Sequence, residues 1–200
     1  MFHILTDPQL SSMRIVVNPE KIVIKEAQRT YTYMNLYGYS TDLIVCNRLI
    51  PESVSDPFLS SVRARQQRYY KLIEEGFSPV PILDVPLFQQ EMVGVETLSY
   101  MAAVVFGQED PVKVFYTGPR SKISKVNGHW VMMVPLPFTT KGDVSVLRAS
   151  GNEVVVQVGH HRRTIMLPTH LAGLEILEAK LDDSLLALRF AARERAGAHR

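Results

Sequence analysis

Cysteine is almost missing. Cys46 is the one cysteine in 200 residues, which excludes an intrachain disulfide framework and a CxxC metal site and fits a reducing compartment. Long apolar runs are missing too. No stretch approaches the roughly 20 residues that cross a bilayer, so no membrane span is expected. Residues 1–10 have neither a charged start nor an apolar segment long enough for a secretory signal, and the cytoplasm is the expected location. Charge of one sign is scarce: the formal net charge is +2. Residues 1–107 hold nine Lys/Arg against eleven Asp/Glu, and residues 108–200 thirteen against nine. Neither half is basic enough for a nucleic-acid groove. Finally, none of the eleven glycines falls in a G-x-x-x-x-G-K-[ST] loop. The chain therefore has no phosphate-binding loop of its own.

What is present suits a packed core. Apolar residues make up 46% and charged residues 21%, the balance of an ordinary globular protein. Residues 1–107 alternate strand-like and helix-like segments. Residues 14–17 form a short β-branched run, and Asn18-Pro19-Glu20 reads as N-cap, first-position proline and first-turn acid. Ile22, Ile24, Ala27, Tyr31 and Met34 approximate a helical stripe that Gly38 would end. Residues 43–46 are continuously apolar, as in a strand buried on both faces. Asp56-Pro57 opens a second helix with the stripe Phe58, Val62, Gln66, Tyr69, Ile73 and a stop at Gly76; Arg63, Arg65, Arg68 and Lys71 read as its solvated face. Residues 80–85 form a third strand, placed near an edge by Pro81. Val95, Leu98, Ala102 and Val105 mark a third helix ending at Gly107. This alternation implies a parallel sheet with crossover helices. Three strands are too few for an ordinary doubly wound sheet, so the sheet reads as incomplete.

From about residue 112 the pattern changes. Short alternating segments at 122–126, 129–134, 144–148, 153–158, 163–167, 176–181 and 185–190 are separated by Asn127-Gly128, Lys141-Gly142-Asp143, Gly151-Asn152 and Asp182-Asp183. That spacing predicts an all-β sandwich. The organisation expected is an incomplete α/β domain over residues 1–110, a β-sandwich over 111–190 and a flexible tail over 191–200.

In open parallel sheets, ligands bind beyond the carboxyl ends of the strands. Asn47 follows the second strand directly, and Pro86-Leu87 follow the third. An Asn carboxamide places a donor beside an acceptor, which matches the N6/N7 pair of adenine. The same residues would serve equally as a turn asparagine and a loop proline.

The segments Ile44-Val45-Cys46-Asn47-Arg48-Leu49 and Pro86-Leu87-Phe88-Gln89-Gln90-Glu91-Met92-Val93-Gly94 resemble the paired adenine-pocket motifs of the ArsA family, which comprises arsenite-pump ATPases and tail-anchored-protein targeting ATPases. Leu5-Thr6-Asp7-Pro8 and Val17-Asn18-Pro19-Glu20 resemble the segments that precede those motifs, so the likeness covers residues 1–107 in order. It implies a P-loop-NTPase-like half domain that lacks the P-loop. Asn47 would contact adenine, Pro86 and Leu87 would line its pocket, and Arg48 and Phe88 would stand beside them. Glu91 and Gly94 would shape the start of the last helix, with Met92 in place of the usual Ile or Val. The family hydrolyses ATP with Mg²⁺ by means of a G-K-G-G-V-G-K-T-type loop and a water-positioning aspartate, and the sequence has no such loop. The resemblance thus implies weak or no ATP binding, and no hydrolysis, by this chain alone. Residues 51–77 also lack the CxxC pair that clasps zinc in the targeting ATPases, so a zinc-clasped dimer is not implied. The partners implied are an adenine nucleotide, and a P-loop-bearing chain or a second copy of this one.

Gly151-Asn152-Glu153-Val154-Val155-Val156, Arg163-Thr164-Ile165-Met166-Leu167-Pro168 and the run from Ala179 to Leu186 resemble the α-crystallin/small heat-shock sandwich appended to some bacterial ArsA-like ATPases. Ser184 stands where that family has a turn glycine, and the I-x-I assembly tail is missing. This resemblance implies a protein-interaction or chaperone-like module with a protein client as the alternative function.

Other residues invite weaker readings. His160-His161 would diverge if both lay on a strand, so residues 160–163 read as an exposed hairpin tip rather than a metal site. Trp130, Met132 and Val134 alternate with Val131 and Met133 as a strand packed between layers. Pro135-Leu136-Pro137-Phe138 reads as a stiff apolar docking link. Cys46 reads as inert packing.

Overall fold

The protein, described by a computed structural model over residues 2–118 and 121–191, divides into two compact units. One comprises residues 1–31 and 39–118, the other residues 32–38 and 119–200.

The first unit contains α1 (Phe2–Thr6), β1 (Met13–Val17), α2 (Lys21–Tyr37, which crosses into the second unit at Thr32), β2 (Thr41–Leu49), α3 (Pro57–Phe77), β3 (Ile82–Pro86) and α4 (Val95–Phe106). The strands pair in parallel in the order β1-β2-β3. The central strand is the most buried: Leu43, Ile44 and Cys46 are all inaccessible. Ile15, Val17, Ile44 and Cys46 pack against Ile24 and Ala27 of α2 and against Ile73 and Phe77 of α3. Each of the Ile, Val and Phe side chains among them contributes roughly 1.5–3 kcal/mol on burial. The apolar stripes of α2 and α3 are therefore what fixes them to the sheet.

The helix ends differ from the sequence expectation in two places. α2 starts at Lys21 rather than at Pro19. The Glu20 N–H donates to the Asn18 carbonyl at 2.7 Å in a tight turn, and the Glu20 carbonyl then accepts the Ile24 N–H at 2.9 Å. α3 starts as expected, with Asp56 Oδ1 accepting the Leu59 N–H at 2.9 Å ahead of Pro57. It runs through Gly76 because Phe77 is fully buried and meets the Tyr31 ring edge-on, centroids 5.6 Å apart. Phe58, expected in the buried stripe, is 73% exposed.

The second unit holds β4 (Lys122–Val126), β5 (His129–Pro135), β6 (Val144–Ser150), β7 (Glu153–Val158), β8 (His161–Met166), β9 (Glu175–Asp182) and β10 (Leu185–Ala191). They form two antiparallel sheets, β4-β5-β10-β9 and β6-β7-β8. Asn127 and Gly128 have φ of 50° and 82°, both positive as a two-residue hairpin turn requires. Asp183 and Ser184 repeat this at 42° and 64°, so Ser184 takes a left-handed conformation that favours glycine. Met132, Val134, Val154, Val156, Leu186, Leu188 and Phe190 make the core between the sheets. Leu136, read as part of a docking link, lies fully buried in this unit's own core.

Leu36, from the last turns of α2, is buried in the same core. Thr32 Oγ1 donates to the Pro137 carbonyl at 2.6 Å. The expected exposed tip at residues 160–163 is corrected in part. His160 is exposed, but His161 opens β8 with its ring on Tyr33, and the Arg163 guanidinium donates to the Leu36 carbonyl. Ala191 closes β10, and the remainder of the expected tail, residues 192–200, lies outside the described residues.

Candidate functional site

The carboxyl ends of β2 and β3 are where the candidate residues gather. Between the pairs Cys46↔Asp84 and Leu49↔Pro86, β2 has one residue more than β3. The surplus is a β-bulge at Asn47-Arg48. Arg48 has φ of 62°, a left-handed conformation that costs a non-glycine residue on the order of 1–2 kcal/mol. The local hydrogen bonds oppose that cost. Asn47 Oδ1 accepts the Arg48 N–H at 3.0 Å. Gln66 Nε2 on α3 donates to the Arg48 carbonyl at 3.0 Å, and Gln66 Oε1 accepts the Ile50 N–H at 3.0 Å.

Arg63, one turn earlier on α3, is not part of a solvated face. Its Nη1 donates to the carbonyls of Pro51, Glu52 and Val54 at 2.9, 3.0 and 3.1 Å. Helix α3 thus holds the β2–α3 loop at both ends. Sequence reasoning placed Gln66 in the apolar stripe and Arg63 among solvated charges. The signal that distinguishes them is slight: a carboxamide where the stripe calls for an aliphatic side chain.

The two motifs meet through the Leu87 N–H, which donates to the Leu49 carbonyl at 2.7 Å. Pro86, Leu87 and Phe88 line a cleft of about 480 Å³ with Pro51, Met92 and Tyr100. Phe88 meets the Tyr100 ring edge-on, centroids 6.0 Å apart. Pro51 and Pro86 also wall a second cleft of about 550 Å³, which takes in Gln66, Gln67, Tyr70, Lys71 and Asp84. Asn47 and Arg48 line neither cleft; they lie at the adjoining strand end, Asn47 half-buried and Arg48 exposed.

The chemistry beside the site is unreactive. Burial, then the nearby Asp84 carboxylate, pushes the Cys46 thiol up to about 12, so its nucleophilic thiolate is negligible at neutral pH. Burial and the hydrogen bond from Tyr70 Oη to Asp84 Oδ1, 2.9 Å long, raise the Tyr70 phenol as well.

These residues fit the base end of a nucleotide: a carboxamide, a proline-constrained loop, aromatic rings and apolar walls. They do not fit the phosphate end. The sequence has no glycine-rich lysine loop, and no three His, Cys, Asp or Glu side chains among the described residues could hold a metal ion. No hydrolytic step is therefore assigned to them. Likewise, no described helix is long and apolar enough to cross a membrane.

Parallel β-α-β units with polar loops at the strand ends, followed by an antiparallel sandwich, define an α/β protein of the open-sheet class with an appended β domain. The family model described as anion-transporting ATPase matches residues 1–107, and that described as the HSP20-like domain found in ArsA matches residues 127–190. The chain belongs to the ArsA family and carries its HSP20-like domain. It is 39% identical over 183 residues to the putative arsenical pump-driving ATPase 1 of Aquifex aeolicus, covering 90% of this chain and 46% of that one. It is 36% identical over 197 residues to the putative arsenical pump-driving ATPase of Chlorobaculum tepidum, covering 98% and 48%. Similarity to the ATPase GET3 of Chaetomium globosum, 32% over 94 residues, covers 46% and 28%. The chain spans about half the length of the two arsenical pump-driving ATPases it matches over most of its length.

Proposed function

We propose that this chain supplies the adenine-recognition side of an ATP site in an ArsA-type ATPase, and that the P-loop, the water-positioning aspartate and the Mg²⁺ site come from a segment outside these 200 residues. The observation that carries this reading is the hydrogen bond from the Leu87 N–H to the Leu49 carbonyl, which brings the two motifs to adjacent strand ends. Asn47 would read the adenine edge, and Pro86 and Leu87 would hold the ring, with Arg48 and Phe88 beside them. Strands β1 and β3 are the outer strands of the sheet. An open parallel edge seeks a partner strand, and a P-loop-bearing α/β segment is the partner proposed.

Phosphate contacts are the charge-assisted ones, so their absence predicts a specific pattern. Adenosine and ATP should bind the chain weakly and within about threefold of each other, and no phosphate should be released from ATP with Mg²⁺. Asn47→Ala should abolish the adenosine signal in a ligand-observed NMR titration. ATP binding a hundredfold tighter than adenosine, or release of phosphate by clean protein, would sink the reading.

A second reading rests on the sandwich. Strands β6 and β9 are edges of their two sheets, and a groove of about 710 Å³ runs along them, lined by Val146, Leu174, Ile176 and Arg148. Arg148 Nη1 is buried there without a hydrogen-bond partner. Such a groove suits an extended segment of a client protein. Suppression of the aggregation of a test protein, lost on Val146→Asp, would support this use; equal suppression by the variant would exclude it.

A further inference from the structure

We propose that Gln66 is a positioning residue for base recognition: it fixes the Arg48 backbone at its carbonyl and, through the N–H on the other side of the same residue, the plane of the Asn47 carboxamide. The proposal rests on the adenine reading above. The bulge at Asn47-Arg48 takes these residues out of the regular ladder with β3, so the backbone groups around it need partners other than a strand. Gln66 supplies two. Its Nε2 holds the Arg48 carbonyl, and its Oε1 holds the Ile50 N–H, both at 3.0 Å.

The far side of the same Arg48 residue presents its N–H to Asn47 Oδ1, also at 3.0 Å. One continuous path therefore runs from α3 to the proposed base-reading amide. The bond to Arg48 fixes which end of the Asn47 amide is which. The Nδ2 amino group turns away from that peptide, and one lone pair of Oδ1 stays available. A donor beside an acceptor in that order matches adenine N7 and N6. Guanine presents acceptors at both N7 and O6, so the same amide would set oxygen against oxygen. Gln66 thereby bears on selectivity as well as affinity, although it lies a helix away from the base. Arg63 keeps α3 from shifting against this loop through its three carbonyl contacts.

A Gln66→Glu exchange separates positioning from mere support, because the variant is switchable. At pH 8 the carboxylate faces the Arg48 carbonyl without a proton to donate. At acidic pH the neutral acid is nearly isosteric with the amide, and its O–H can donate while its carbonyl accepts. Glu52, Arg63, Tyr70, Lys71, Glu74 and Asp84 border the same cleft and are present in wild type too, so each curve is read against wild type at the same pH. The full chain would be titrated with adenosine and with guanosine, by ligand-observed NMR, at pH 5 and pH 8.

Wild type should prefer adenosine at both values. Gln66→Glu should lose at least tenfold in adenosine affinity and its preference over guanosine at pH 8, and recover part of both at pH 5, where an ordinary glutamate side chain is partly protonated. Gln108→Glu, the same charge change at an exposed residue outside both clefts, should behave as wild type. Gln66→Met, which is similar in length and cannot form hydrogen bonds, should show the loss without the recovery, and serves if the Glu variant unfolds at pH 8. Unchanged adenosine preference in both Gln66 variants, with Asn47→Ala still inactive, overturns the positioning role and leaves the adenine reading standing. Absence of adenosine binding by wild type, or binding undiminished in Asn47→Ala, overturns the adenine reading and this proposal with it.

Discussion

The imidazole of His161 lies on the ring of Tyr33, with centroids 3.6 Å apart and planes tilted by 30°. The two residues are far apart in sequence yet belong to one unit, since the last turns of α2 are built into the β-sandwich. Tyr37 meets the same imidazole edge-on at 6.3 Å. Stacked aromatic pairs couple by about 0.5–1.5 kcal/mol beyond their buried area. A double-mutant cycle with Tyr33→Ala and His161→Ala, measured by urea unfolding, should return a coupling in that range. Additive effects would show that the stack contributes nothing.

Leu36 extends the same point into the core. It is fully buried among Val134, Val156 and Leu188, though it arrives from a helix that begins in the other unit. Leu36→Ala removes three carbons from a packed interior, which costs about 2–5 kcal/mol. The expected signature is a lowered unfolding midpoint for the near-UV signal of Trp130, which is packed against this core. A fragment that starts after residue 118 lacks Leu36 and Tyr33 altogether. It should bind an apolar dye more strongly than the full chain; equal dye binding would mean that the sandwich closes without the helix.

Cys46 gives a pH-dependent prediction whose direction can be worked out. Its thiol rises from an ordinary 9.0 to about 12, through burial first and the Asp84 carboxylate second. A folded value above the unfolded one means that the folded state keeps its proton longer. The stabilising contribution is then complete below pH 9 and is lost as pH climbs from there toward 12. Tyr70 shifts the same way. Urea midpoints should fall between pH 8 and pH 10.5, and the fall should be smaller in Cys46→Ala. In the native protein at pH 8, iodoacetamide should leave Cys46 unlabelled until denaturant is added. Rapid labelling of the folded chain would show that the strand opens locally.

The fold was legible wherever one element carried its own signal. The continuous apolar run of β2 and the turns at Asn127-Gly128 and Gly107 name their structures locally, because sterics at positive φ and burial on both faces act within a few residues. Features decided by distant partners were not. Nothing local says that α3 should pass Gly76, since the reason is the Phe77 ring against Tyr31. Nothing local marks Arg63 and Gln66 as anchors, since their acceptors lie nine to eighteen residues away. His161 read as a hairpin tip because Tyr33 is 128 positions earlier in the numbering. At the candidate site, the two motifs could be picked out of the sequence, while the bulge at Asn47-Arg48 needed the register between β2 and β3.

That register also sets a charge in the interior, which leads to the sharpest stability prediction. Asp42 on β2 is fully buried. Its Oδ2 accepts the Phe115 N–H at 3.2 Å, while Oδ1 has no hydrogen-bond partner and lies 3.5 Å from Arg14 Nε on β1. Arg14 also donates through Nη2 to the Lys113 carbonyl at 3.0 Å, and its guanidinium stands 5.2 Å from the centre of the Phe115 ring. The pair therefore ties residues 113–115 to the sheet. Asp42 loses all of its hydration and Arg14 part of its own, which offsets much of their attraction, but removing Arg14 alone strands the buried carboxylate. Arg14→Ala should cost about 3–5 kcal/mol in urea unfolding and speed hydrogen exchange at the Phe115 amide. Arg14→Met combined with Asp42→Asn should recover most of that stability, because no buried charge is left without a partner. If the double variant proves as unstable as Arg14→Ala, the cost lies in lost packing against Phe115, and the electrostatic account of this pair fails.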